Sequence, residues 1–539
     1  MADARTVIDA TRTVGVIDRR LFGSFIEHMG RAVYGGIYEP GHPTADADGW
    51  RHDVIDLTRR LGVTTVRYPG GNFVSGYTWE DGVGPRDRRP ERDDLAWRST
   101  EPNLVGTDDF VDWARLAGVE PMLAVNLGSR GADAARDLVE YCNAPGGTVM
   151  ADRRAANGHP EPHGIRTWCL GNEMDGPWQI GYTTAVEYGR RAAEAARAMR
   201  AVDPTIELVA CGSSGSAMPT FGSWETTVLE LAGGEIDHIS LHAYYDPATY
   251  ETIDDYLACS ADLDRMIRRV AAIVDADRAA RPDRRPIGIS VDEWNVWHLT
   301  EHRLREAARD DRGYERAPAL AEDTHDLADA LVVGCLLITL LRHVDRVSIA
   351  CLAQLVNVIP AIRTVDGGPA WLQASAYPFA DVARGGRGTV LELDIDGMAP
   401  GAVGPVEATA VHDPGNGAVT VFAVNRADKE IRLDASLRGF DRLVVAGQSV
   451  LTGPDLAAHN TAADPYRVIP RPADGATITG DGLAVRLPAR SWNVVRLAAP
   501  AEPPPPSDQG ASRRGPPCSL RGERRRSRGA FRARSEGPG

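Results

Sequence analysis

Short apolar runs recur along most of the chain, separated by stretches with helical spacing. The runs Gly23–Glu27, Thr64–Tyr68, Pro121–Asn126, Thr167–Gly171, Glu207–Cys211, His238–His242, Ile287–Asp292 and Arg346–Cys351 read as strands. Between them, apolar residues fall on one helical face, as at Ile55, Leu57 and Leu61 or at Phe110, Trp113 and Leu116. Ala185–Val202 and Leu327–Leu341 predict longer helices. Eight strands alternating with helices predict a parallel (β/α)8 TIM barrel over residues 18–380. An open doubly wound sheet would need a glycine-rich phosphate turn after the first strand, and Glu27-His28-Met29-Gly30-Arg31 does not supply one.

After Phe379 the period drops to two. Val390–Leu393, Ala418–Val424 and Asn493–Leu497 alternate between glycine- and proline-rich turns, which predicts an antiparallel, jelly-roll-like β-sandwich over residues 381–499. Residues 1–17 alternate in the same way and are expected to join that sandwich, because the barrel already has its strands. From residue 500 the chain turns to proline and arginine, with Pro503–Pro506 followed by arginines up to Arg534. Too few apolar residues lie there to offset the entropy of ordering, so residues 500–539 are expected to form a disordered basic tail.

Composition narrows the function. A formal net charge of -15 over 539 residues argues against a nucleic-acid partner or an anionic membrane surface. The most apolar stretch, Leu331–Leu341, is too short to span a bilayer, and Met1–Arg5 opens no signal-peptide pattern. The 7 cysteines form no CxxC pair and sit mostly in apolar runs, as expected of buried free thiols in a reducing compartment. A cytoplasmic location is expected.

The chemistry gathers where the strands end. In such a barrel the C-terminal strand ends face the active site. They carry Glu27 and His28, Arg67 and Asn72, Asn126, Asn172 and Glu173, His242 and Tyr244, Glu293, Asn295 and Trp297, and Gln354 and Asn357. Carboxylates, amides and aromatics in one mouth suit sugar hydroxyls and sugar faces. Glu173 and Glu293 end the fourth and seventh strands, so their carboxyls can straddle a glycosidic bond. Glu173 is expected to act as acid, its proton retained with the help of Trp178 and Glu293. Glu293 is expected to act as nucleophile, kept ionised by Arg67 or Tyr244. Each glutamate taken singly also reads as a solvated loop carboxylate, and Glu27 as a buried acid paired with Arg67.

Several long motifs resemble the α-L-arabinofuranosidases of glycoside hydrolase family 51. They are Gly23-Ser24-Phe25-Ile26-Glu27-His28, Arg67-Tyr68-Pro69-Gly70-Gly71-Asn72-Phe73, Trp168-Cys169-Leu170-Gly171-Asn172-Glu173-Met174, Asp292-Glu293-Trp294-Asn295-Val296-Trp297 and Cys351-Leu352-Ala353-Gln354-Leu355-Val356-Asn357. The resemblance implies an exo-acting, retaining glycoside hydrolase. Such an enzyme releases terminal non-reducing α-L-arabinofuranosyl residues from arabinan, arabinoxylan or derived oligosaccharides. It implies Glu173 as acid/base and Glu293 as nucleophile. It implies substrate contacts from Glu27, Arg67, Asn72, Trp97, Asn172, Tyr244, Trp297 and Gln354, with Asn172 at the 2-hydroxyl. It implies no cofactor and no metal, and a homo-oligomer, a hexamer by family likeness. Ala243 departs from the larger polar residue the family often carries there, and the tail has no counterpart.

Three rival readings share parts of this pattern. An endo-acting β-glucanase or xylanase would use the same barrel. A metal-dependent sugar isomerase would need carboxylates clustered around His28 or His242, and no such cluster is visible along the chain. A non-catalytic carbohydrate-binding protein would need the aromatics and amides but not two opposed carboxylates.

Overall fold

The computed structural model describes residues 2–308, 313–395 and 404–500, so the basic stretch from residue 501 onward lies outside the described residues. Strands Gly23–Phe25, Thr65–Tyr68, Glu120–Val125, Thr167–Leu170, Glu207–Ala210, His238–Tyr245, Gly288–Val296 and Val347–Ala353 close into one parallel barrel. We number them one to eight. The register runs from Gly23 against Thr65 through Met122 against Thr167 and closes with Cys351 against Gly23. The eight runs legible in the sequence are the eight barrel strands, in order.

Inside the barrel, Phe25, Met122, Cys169, Val209, Ile349 and Cys351 form a buried apolar plug. The Arg67 guanidinium lies over the Phe25 ring, 4.9 Å from its centroid, so charge begins directly on top of the plug. The six cysteines among the described residues are buried and unpaired.

Two further sheets face each other across a second core that includes Ala4, Ile8, Val421, Leu433, Val485 and Val495. Ala2–Asp9 lies at one edge of the four-stranded sheet and Thr13–Val16 at one edge of the seven-stranded sheet. The first of these differs from the antiparallel expectation, since Ala2–Asp9 runs parallel to Ile431–Arg438. The two strands lie at opposite ends of the described chain and no hairpin joins them, so no tight turn dictates their direction.

The helix Leu327–Arg342 is apolar all round because it is buried all round. It packs on the seventh barrel strand and also on the sandwich strands Val406–Asp413, Ala418–Asn425 and Ser491–Ala498. Trp492, fully buried in the same contact region, donates its indole N–H to Asp381 at 3.1 Å. No helix among the described residues is long and apolar enough to cross a membrane.

One element is not legible in the sequence. Arg92–Asp94 and Ser99–Glu101 form a hairpin, and Glu315–Arg316 adds to it in parallel. Strands of two or three residues leave almost no periodic signal. This small sheet carries Trp97 in its turn.

Candidate active site

Strand four ends at Leu170, whose carbonyl is held by the Tyr188 hydroxyl at 2.8 Å. The chain then turns sharply. Gly171 has φ +88, a conformation that favours glycine, and Glu173 itself has φ +43. A glutamate in the left-handed region is uncommon, and the turn holds it there with Gly176 N–H on the Glu173 carbonyl at 2.8 Å. The turn lifts the Glu173 side chain into the mouth. There its carboxylate accepts the Trp178 indole N–H at 2.5 Å and lies 2.9 Å from His242 Nδ1.

Glu293 lies within strand seven, where the register against strand eight shifts between Val291 and Trp294 and that against strand six shifts between Ser240 and His242. In a regular strand, consecutive side chains face opposite ways. The irregularity lets both Asp292 and Glu293 reach Arg67 from strand two. Arg67 Nη1 donates to Glu293 at 2.6 Å, and its Nε is 3.6 Å from Asp292. His242 and Tyr244 share a face of strand six. The Tyr244 hydroxyl donates to Glu293 at 2.7 Å, and His242 Nδ1 is 3.4 Å from the same carboxylate. His242 Nε2 faces Asp292 at 3.3 Å.

The other side of the mouth belongs to strands eight, one and two. Glu27 accepts the Phe73 backbone N–H and the Trp97 indole N–H, each at 2.9 Å, and Gln354 Nε2 lies 3.4 Å from its second oxygen. The pairing of Glu27 with Arg67 is therefore not formed. Arg67 is used up on Glu293, Asp292 and Asn172, the last at 2.7 Å. The turn after strand two comes so close that a Cβ on Gly71 would lie 3.0 Å from Glu293 Oε1 and 3.3 Å from Asn172 Nδ2.

Burial and charge act against each other here. Burial, with the negative charge of Glu293, pushes Glu27 up to about 8. Burial also holds Glu293 above the ordinary carboxylate range, against the pull of His242 and Arg67. Burial opposes the charging of His242, but Glu293, Asp292 and Glu173 overcome it and hold the imidazole well above its usual value. Burial would raise Asp292 too, yet Arg67 and His242 keep it below the usual range.

A cavity of about 420 Å³ opens over these groups. Both glutamates line it, with Glu27, Asn72, Trp97, Tyr244, Trp297 and Gln354. Arg67 and Asn172, each 1% exposed, sit beneath it and hold the groups that line it. Asn172 is steadied further by Gln179, whose Oε1 accepts from it at 3.3 Å. Other strand-end residues are structural. His28 bonds Glu101 and Tyr68, Asn126 bonds the Tyr77 carbonyl, Asn295 bonds the Ala353 and Ile359 carbonyls, and Asn357 bonds the Arg31 carbonyl. Asp292 and the bridging position of His242 escape sequence reasoning, although both lie within the quoted motifs. The signal available was the acidic pair Asp292-Glu293, which a regular strand would split between two faces.

The absence of a carboxylate cluster near His242, expected from the sequence, is overturned by the fold. Carboxylates do cluster around His242, because barrel closure brings strands four, six and seven together whatever their separation along the chain. Glu173, His242 and Glu293 each offer an atom within 4.8 Å of the others, a spacing that could hold a metal ion. The position is already served by cations, since Arg67 and His242 both face Glu293.

Comparisons with known proteins agree with this geometry. Residues 57–261 match the α-L-arabinofuranosidase 1 domain, and residues 292–491 match the α-L-arabinofuranosidase C-terminal domain. An intracellular exo-α-(1→5)-L-arabinofuranosidase of Streptomyces lividans is 50% identical over 517 residues, covering 95% of this chain and 78% of the relative. An exo-α-(1→6)-L-arabinofuranosidase of Bifidobacterium longum is 48% identical, covering 92% and 98%. The solved structure of a family 51 α-L-arabinofuranosidase from Bifidobacterium longum superposes with a TM-score of 0.87 at 45% identity, covering 92% of this chain and 99% of that one. With the barrel, the sandwich and identity at this level, the chain belongs to the α-L-arabinofuranosidases of glycoside hydrolase family 51.

Proposed function

We propose that the protein is an exo-acting α-L-arabinofuranosidase that works by double displacement with retention. The carrying observation is that Glu173 and Glu293 face one cavity with an oxygen of each within 4.8 Å of the other. Retaining enzymes place their carboxyl groups about 5–5.5 Å apart, and inverting ones leave about 6.5–9.5 Å for a water. Glu293 attacks the anomeric carbon and forms a glycosyl ester while Glu173 gives its proton to the departing oxygen. Glu173, now a carboxylate, takes a proton from water. That water attacks the ester, releasing arabinose, free Glu293 and re-protonated Glu173.

The remaining residues fit this course. Arg67 and Tyr244 hold the Glu293 carboxylate in place for attack. Glu27, Asn72, Asn172 and Gln354 surround the arabinofuranose, with Asn172 at the 2-hydroxyl, and Trp97 and Trp297 supply aromatic surface. Relatives act on (1→5) and (1→6) linkages, and terminal arabinofuranosyl groups of arabinan- or arabinoxylan-derived oligosaccharides are the substrates proposed here. A cytoplasmic site and a hexameric assembly complete the reading. Light scattering tests the assembly.

The deciding experiment incubates the enzyme with an aryl α-L-arabinofuranoside and follows the anomeric configuration of the first-formed arabinose by NMR. The α product first supports the mechanism; the β product first overturns it. Release of internal fragments from linear arabinan without free arabinose would overturn the exo assignment.

A further inference from the structure

The turn that presents Glu173 carries a second acid. Gly176 N–H closes this turn on the Glu173 carbonyl at 2.8 Å, and Asp175 is the residue before it. The Asp175 side chain is buried, and one of its oxygens accepts the Ser214 N–H at 3.1 Å. Ser214 lies in the loop after strand five and lines the cavity. Its neighbour Ser213 accepts the His242 N–H on its carbonyl at 3.3 Å and gives its own N–H to Glu225 at 2.8 Å. One anchored loop therefore holds both Asp175 and the backbone of His242, the residue whose imidazole touches Glu173.

The burial of Asp175 is not offset by a partner. Its second oxygen has no hydrogen bond, and among the described residues no ion pair reaches the carboxylate. Asp292 and Asp323 are buried as deeply, and each faces an arginine, at 3.6 and 3.2 Å. A buried charge without such a partner costs stability. Burial, with the negative charge of Glu173, pushes Asp175 up to about 6, against the Ser214 amide and the positive charge of His242. Above that pH the chain carries an unpaired buried carboxylate in the turn of its acid. Groups held at such a cost gather where they serve chemistry.

Repulsion between two carboxylates is mutual, so what Glu173 does to Asp175, Asp175 does to Glu173. The other titratable groups facing Glu173 are His242 and Tyr244 from strand six and Glu293 from strand seven. Of the two acids beside Glu173, Glu293 loses its charge when it forms the glycosyl ester, and Asp175 keeps its own. We infer that Asp175 is a positioning residue for Glu173: its charge, fixed by the Ser214 loop, holds the proton on Glu173 before the bond is cut and strengthens Glu173 as a base when water attacks. This rests on the assignment of Glu173 as acid/base.

The test is the pH profile of Asp175→Asn, which keeps an acceptor for the Ser214 N–H and removes the charge. On phenyl α-L-arabinofuranoside, whose leaving oxygen needs a proton, the basic limb of kcat/KM should move down by about one pH unit, a loss of about tenfold beyond the limb. On the dinitrophenyl glycoside, whose leaving group needs none, the limb should stay where wild type has it. A loss equal at every pH, or equal on both glycosides, overturns the inference. Thermal melts give a second reading. The folded chain binds the Asp175 proton more tightly than the unfolded chain, so wild type loses stability as pH rises from the ordinary 3.8 of an aspartate through about 6. Asp175→Asn should therefore gain on wild type in melting temperature between pH 5 and pH 8, and a gap that moves the other way counts against the unpaired charge. Failure of both Asp175→Asn and Asp175→Ser to fold would also overturn the inference, since the carboxylate would then be structural. A wild-type enzyme inactive on both glycosides would instead overturn the proposed function.

Discussion

Asp292 and Glu293 are neighbours in one strand, yet both reach the same guanidinium, that of Arg67, at 3.6 and 2.6 Å. The register shift in strand seven makes this geometry, and through it one buried acid fixes the two cations that touch the other. Asp292 therefore acts on Glu293 through Arg67 and His242.

Removal of the nucleophile should abolish turnover. Glu293→Ala is expected to lower kcat on an aryl arabinofuranoside by about 10⁴-fold or more, as removal of nucleophiles does elsewhere. Steady-state assay of the purified variant checks this, and a rate within tenfold of wild type would exclude Glu293 from that role.

Removal of the acid should depend on the leaving group. Glu173→Ala should lose about 10²–10⁴-fold on substrates whose leaving oxygen needs a proton and far less on dinitrophenyl glycosides. Added azide should then accelerate turnover and yield the α-glycosyl azide. The same loss for good and poor leaving groups would count against Glu173 as acid.

The bridging imidazole should set the acid limb of the pH profile. His242 and Arg67 lower Glu293 while burial raises it, so loss of a cation raises Glu293 further. His242→Gln should move the acid limb of kcat/KM to higher pH, because Glu293 must be ionised to attack. Asp292→Asn should shift it the same way, since Asp292 helps keep His242 charged. A limb that stays put or moves down would refute the bridge.

Glu27 should cost stability as pH rises. Its folded pKa of about 8 lies above the ordinary 4.5 of a glutamate, so the folded state holds the proton more tightly than the unfolded chain. Stability is therefore lost as pH climbs from the unfolded pKa toward the folded one. Glu27→Gln has no such proton, and should melt higher than wild type at pH 8 by the equivalent of about 2–3 kcal/mol, with a smaller gap at pH 5. Thermal melts at the two pH values check this; a gap that shrinks toward pH 8 would reverse the sign.

The sequence by itself determined the barrel, its eight strands, some of the sandwich strands and the glutamates carried by strands four and seven. The reason is that buried parallel strands leave apolar runs, helices leave their period, and a catalytic mouth can only be built from strand ends. The helix Leu327–Arg342 was legible for the same reason, although its apolar girth made sense only once the sandwich was seen on its far side.

Only the tertiary structure decided who touches whom. Arg67 could have paired with Glu27 or Glu293, and barrel closure with the shift in strand seven gave it to Glu293. The cluster of Glu173, His242 and Glu293 joins residues 51 to 120 apart in sequence, which no spacing rule along the chain can reveal.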